Sequence, residues 1–74
     1  MGWNMAQVKV FYDHNSNSLT VWFGEPKQEY VWEETAEEII LMKDKKGHVL
    51  GFEKLNFEVA RPEQLRVAFE MITK

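Results

Sequence analysis

From Gln7 to Tyr12 the chain alternates, with Val8, Val10 and Tyr12 on one side and Gln7, Lys9 and Phe11 on the other. That is the period of two expected of a half-buried strand. Asp13, His14, Asn15, Ser16, Asn17 and Ser18 follow, residues whose short polar side chains bond their own backbone in turns, so a hairpin loop is predicted. Leu19, Val21 and Phe23 then alternate with Thr20 and Trp22 in a second strand, which ends at Gly24, Glu25 and Pro26 because proline cannot donate to a ladder. A third, shorter strand is predicted through Glu29, Tyr30, Val31 and Trp32. Glu33 to Glu38 is rich in helix-tolerant residues but too short to hold a helix alone, so it reads as a connection.

Ile39, Ile40, Leu41 and Met42 form an unbroken apolar run, the pattern of a strand covered on both faces. Asp44 to Gly47 suits a type I turn closing into a glycine bulge, since glycine takes positive φ without a steric cost. His48 to Phe57 is the return strand, and Gly51 within it marks a bulge or a close approach by a neighbouring backbone or ring. Pro62 suits a first helical turn, and Leu65, Ala68, Phe69 and Ile72 recur at i, i+3, i+4 and i+7. The expected fold is therefore α+β: an antiparallel β-meander of four or five strands over 7–57, with one C-terminal amphipathic helix over 62–73 packed on one face. Arg61 is a poor cap for that helix.

Seventy-four residues make one domain, 1–74, with a loose lead over 1–5 in which Met5 reads as an alternative start. A chain this short buries only about 60% of its unfolded surface and usually needs a staple. With no cysteine, disulfides and thiolate metal sites are excluded, and a reducing cytoplasm is the expected location. His14 and His48 are too few for an imidazole metal site, so no cofactor or metal is expected. Aromatic packing or self-association must supply the stability, and 14% of the residues are aromatic. The net charge of −3 disfavours a nucleic-acid partner, and no apolar run approaches the length that crosses a membrane.

Tyr12 and Asp13, Ser18 to Phe23, Ile39 to Leu41, and Asp44 to Glu53, in that order and spacing, resemble a small prokaryotic domain of unknown function, family 2283, over residues 8 to 57. The resemblance implies a β-rich fold, a bacterial cytoplasmic origin, no established activity and an antitoxin-like role. Asn17 stands where members of that family often carry an acid, and Met42 and Lys43 where they carry an aspartate.

Three constellations bear on chemistry. Asp13 and His14 with Ser16 or Ser18 are the residue types of a nucleophilic triad, but neighbours on one hairpin seldom align as nucleophile, base and orienter, and turn formation accounts for them. Glu33, Glu34, Glu37 and Glu38 form the densest run of charge, read as a solvated acidic patch able to meet a basic protein. Phe11, Trp22, Tyr30 and Trp32 would form an aromatic surface if their strands pair in register. Since Phe11 and Trp22 fall opposite Val10 and Val21, both sheet faces carry large apolar residues and one helix covers only one of them. The expectation is a non-enzymatic protein-interaction module that forms a homo-oligomer through the Phe11 and Trp22 face. The alternative is small-ligand or single-stranded nucleic-acid binding on the same aromatic surface.

Overall fold

A computed structural model describes residues 7–73. The loose lead expected over 1–5 lies outside the described residues. Five strands form one antiparallel sheet: β1 (Lys9–Asp13), β2 (Ser18–Trp22), β3 (Val31–Glu34), β4 (Ile39–Lys43) and β5 (Val49–Lys54). Their spatial order is β1-β2-β5-β4-β3. The sheet thus joins a hairpin, β1–β2, to a three-stranded meander, β3–β4–β5, along the line where β5 pairs with β2.

Each turn is built as its residues dictate. In the first hairpin Asp13 Oδ1 accepts from the amides of Asn15 at 2.9 Å and Ser16 at 3.4 Å. Asn17 takes φ 54°, a left-handed conformation that asparagine tolerates. Hydrogen bonds from the Ser16 side chain, then from the Asn15 and Ser16 amides, hold the Asp13 carboxyl below its ordinary value. After β2 the chain passes through a 3₁₀ turn, Pro26–Gln28, and is carried past β5 and β4 to the far edge. There the Tyr30 amide donates to the Lys43 carbonyl at 2.8 Å. β3 begins one residue later and includes Glu33 and Glu34, which pair with Leu41 and Ile40. Their place in a ladder, rather than in a connection, follows from cross-strand partners that local composition does not reveal.

The turn between β4 and β5 has the expected form. Gly47 adopts φ 88° and donates to the Asp44 carbonyl at 3.0 Å, and the Asp44 amide donates to the His48 carbonyl at 3.0 Å. Beyond it, pairing steps from Met42 opposite Gly51 to Lys43 opposite Val49, leaving Leu50 as the extra residue of a bulge. The Leu50 carbonyl receives the amides of both Phe23 and Gly24 at 2.9 Å, so the bulge also fixes where the chain leaves β2.

Cross-strand register assigns the faces, because directly paired residues point the same way. One face carries the row Val10, Val21, Phe52 and Leu41, with Tyr12, Leu19 and Ile39 beside it. Phe57 meets the Tyr12 ring there edge-on, with centroids 6.0 Å apart. The other face carries Lys9, Trp22, Gly51, Met42 and Trp32 in one row. Among the described residues Met42 and Leu50 are the buried large apolar side chains, and of the two only Met42 is fully buried.

The C-terminal amphipathic helix is not present, and the fold is all-β rather than α+β. Beyond β5 the described residues contain one 3₁₀ turn, Pro62–Gln64, which ends at Leu65 with extended backbone, φ −66° and ψ 133°. Arg61 supplies no side-chain cap. A helix of about twelve residues is marginal in water unless its apolar face is packed. Here Phe69, Met71 and Ile72 remain more than 80% exposed, so that support is missing. The same stretch also alternates Leu65, Val67, Phe69 and Met71, a period compatible with extended chain.

Candidate functional site

Sheet register brings three of the four aromatic residues named above onto one face. Lys9 pairs with Trp22 and Phe11 with Thr20, so Phe11 and Trp22 are diagonal neighbours on adjacent strands. Trp32 pairs with Met42, which pairs with Gly51, which pairs with Trp22. The two tryptophans therefore bracket Met42, the most deeply buried apolar side chain among the described residues, 1% exposed. Gly51 is what admits Trp22 to this row: a Cβ at that position would overlap the Val21 carbonyl oxygen and lie 3.1 Å from Trp22 Cα and Cε3. Trp22 is half-buried, whereas Phe11 and Trp32 are 54% and 56% exposed.

Tyr30 belongs elsewhere. It precedes β3 and projects toward the β4–β5 turn, where Lys45 Nζ lies 5.8 Å from its ring centroid. The four glutamates are likewise distributed. Glu33 forms an ion pair with Lys43, and Glu38 Oε1 lies 3.7 Å from Lys54 Nζ while its other oxygen accepts from Asn56. Glu34 follows Glu33 along β3 and so faces the opposite side of the sheet; Glu37 lies in the following turn, where its amide donates to Thr35 Oγ1 at 3.2 Å.

In the first hairpin Asp13 is occupied by backbone amides, and Ser16 Oγ and Ser18 Oγ are 2.9 Å apart in a bond with each other. The His14 ring stands against Tyr12 with centroids 6.4 Å apart. His48 Nδ1 is 3.1 Å from Asp44 Oδ2. Asp44 Oδ1 accepts from the amides of Lys46 and His48, both at 2.9 Å. The His48 amide is the main cause, and together these bonds hold the Asp44 carboxyl below its ordinary value. Among the described residues no group of three or more His, Cys, Asp or Glu side chains is arranged to hold a metal ion.

A second feature escaped the sequence reading. Residues 27–30 and the β4–β5 turn enclose a groove of about 520 Å³, lined by Lys27, Gln28, Glu29 and Tyr30 on one side and Asp44, Lys45, Lys46 and His48 on the other. Lys45 and Lys46 had no role in the sequence beyond filling a turn. The β3–β4 ladder, extended by the Tyr30 to Lys43 backbone bond, lays one segment against the other and makes them neighbours of Lys27.

A five-stranded antiparallel sheet with an aromatic face and no metal cluster among its described residues defines a small all-β domain. The chain belongs to the family described as "Protein of unknown function (DUF2283)", whose model matches residues 9–57, all five strands and the turns between them. No curated protein and no solved structure matches it. No helix among the described residues is long and apolar enough to cross a membrane.

Proposed function

We propose that this chain is a non-enzymatic interaction module that self-associates, with the face bearing Phe11, Trp22 and Trp32 as its first contact. The observation that carries the reading is the imbalance of its apolar side chains. Met42 and Leu50 are the buried apolar residues among those described, while Phe11, Phe23, Val31, Trp32 and eight other large apolar residues are exposed.

The aromatic face suits this role because aromatic anchors dominate interface energetics, and Phe11 lies diagonal to Trp22 on the adjacent strand while Trp32 closes the far end of the Trp22 row. The segment after Pro62 adds Val67, Phe69, Met71 and Ile72 to the apolar surface that a second copy could cover. Glu34 and Glu37, exposed and without an ion pair among the described residues, offer a basic protein a separate point of contact.

The test is Phe11→Ser with Trp32→Ser, both at exposed positions, compared with the parent chain by light scattering at matched micromolar concentrations. The expected result is a fall in the associated mass with the far-ultraviolet spectrum unchanged. Retention of the parent mass by the doubly substituted chain would remove this face from the interface.

A further inference from the structure

We propose that residues 66–71 add to the open edge of β1 in a second copy of this chain, as an antiparallel strand that sets Arg66 opposite Asp13 and Glu70 opposite Lys9, an inference that rests on the self-association proposed above. The molecule carries both halves of such a contact. Among the described residues β1 is paired on one side only, and no backbone bond outside the β1–β2 ladder reaches residues 8–12. An edge of this kind is a template for a further strand. The segment beyond the last 3₁₀ turn is the other half. Its backbone is extended at Leu65, and residues 66–73 make no backbone–backbone hydrogen bond among the described residues. Its apolar side chains stand clear of the sheet, from Val67 at 66% exposed to Met71 at 84%.

Side-chain chemistry selects the direction and the register. As a strand the segment places Val67, Phe69 and Met71 on one side and Arg66, Ala68 and Glu70 on the other. β1 divides in the same way: Val10 and Tyr12, in line with Val8, lie on the face of Val21 and Phe52, and Lys9, Phe11 and Asp13 lie on the other. With Arg66 opposite Asp13, an antiparallel strand brings Glu70 opposite Lys9, so both charged pairs are of opposite sign. Among the described residues Lys9, Arg66 and Glu70 take part in no other ion pair. Between the two charged pairs the small Ala68 meets the bulky Phe11. On the other face Val67, Phe69 and Met71 meet Tyr12, Val10 and Val8, which lengthens the apolar row that runs from Val10 to Leu41. Sliding the strand by two residues in either direction loses both charged pairs. A parallel strand would oppose Arg66 to Lys9 and Glu70 to Asp13, like charge against like, which disfavours it.

The other edge does not fit. β3 carries Glu33 on one face and Glu34 on the other, so the apolar side of the segment would meet a carboxylate whichever way it lay, and charged edges oppose pairing. On β1 the apolar side meets no charge. Because the segment stands clear of its own sheet, two copies related by a two-fold axis can exchange segments and complete both β1 edges at once. Strand addition of this kind draws its affinity from main-chain hydrogen bonds and its selectivity from alternate side chains. It also supplies a staple that a chain of 74 residues without cysteine otherwise lacks.

Disulfide trapping tests the exchange, since the chain has no cysteine of its own. Directly opposed residues hold their Cβ atoms about 4.5–5.5 Å apart, close to the reach of a disulfide. Lys9→Cys and Glu70→Cys, both at exposed positions, are made in separate full-length chains, mixed at micromolar concentration and oxidised in a glutathione buffer. The expected result is a covalent heterodimer, several-fold more abundant than any dimer of either variant alone. Lys9→Cys mixed with Arg66→Cys, the pair that a parallel strand would oppose, should stay at that background. Association seen by light scattering without an excess of the heterodimer would overturn the exchange and leave the aromatic face as the interface. A chain bearing both Lys9→Cys and Glu70→Cys that closes an internal disulfide and forms no covalent dimer would place the segment on its own β1 and overturn the exchange as well. A parent chain that is monomeric throughout would overturn the exchange and the self-association together.

Discussion

Replacing Gly51 with alanine adds a single methyl group at the junction on which the sheet depends. Gly51 pairs with Trp22 across the β2–β5 line, which joins the hairpin to the meander. The added Cβ would overlap the Val21 carbonyl oxygen and press on Trp22 Cα and Cε3 at 3.1 Å. Two of these three atoms are backbone and cannot rotate away, so relief requires the strands to separate. Overpacking a closed site costs about 1–3 kcal/mol, and a backbone clash belongs at the upper end. Alanine recovers about 0.5–1 kcal/mol through lower unfolded-state entropy, leaving a net loss of about 2 kcal/mol. For a domain of this size each kcal/mol moves Tm by about 4–8 °C, so Gly51→Ala should lower Tm by roughly 8–16 °C. The control is Gly47→Ala, where φ is 88° but nothing lies within 4 Å of the new Cβ; its cost is backbone strain alone, about 1–2 kcal/mol. Thermal unfolding of both variants by circular dichroism, at one protein concentration, makes the comparison. A Gly51→Ala chain melting within a few degrees of the parent would show that β2 and β5 do not approach as closely as the sheet requires.

Other consequences are also measurable. Tyr12 carries a buried hydroxyl without a hydrogen-bond partner among the described residues, so Tyr12→Phe should be neutral or stabilising by up to about 1 kcal/mol in urea unfolding; a clear loss would mean that the hydroxyl is bonded. The Asp44 carboxyl is held below its ordinary value of 3.8, chiefly by the His48 amide. A lowered folded value favours the carboxylate, so its contribution is present in full above the unfolded value and is lost as pH falls through the folded one. Denaturant midpoints should therefore fall on acidification below about pH 4, and less steeply for Asp44→Asn, with Asp13 supplying the remainder; equal slopes would contradict the assignment. Trp22→Ala should reduce stability as well as association, because Trp22 packs on Gly51, whereas Trp32→Ala should affect association alone.

Local chemistry made much of the sheet legible from the sequence. The Asp13 to Ser18 loop, the Asp44 to Gly47 turn and the close approach at Gly51 each follow from a residue's own backbone preference. The opposition of Phe11 and Trp22 to Val10 and Val21 follows from a period of two. Strand order did not, because the insertion of β5 between β2 and β4 is a long-range choice with no periodic trace. The helix was misread because residues 65–72 satisfy two periods at once, and without a packed face the helical one brings no net gain. The groove at Lys27, Glu29 and Tyr30 was hidden for a related reason: its halves are more than a dozen residues apart, and the β4 edge unites them.

Self-association is the claim on which the functional reading rests, and sedimentation equilibrium of the unsubstituted chain tests it most directly. The structure, with two buried apolar side chains among its described residues and an open aromatic face, predicts a mass at micromolar concentration that is a multiple of 8.8 kDa and falls on dilution. A mass of 8.8 kDa that stays constant across the whole concentration range would contradict it.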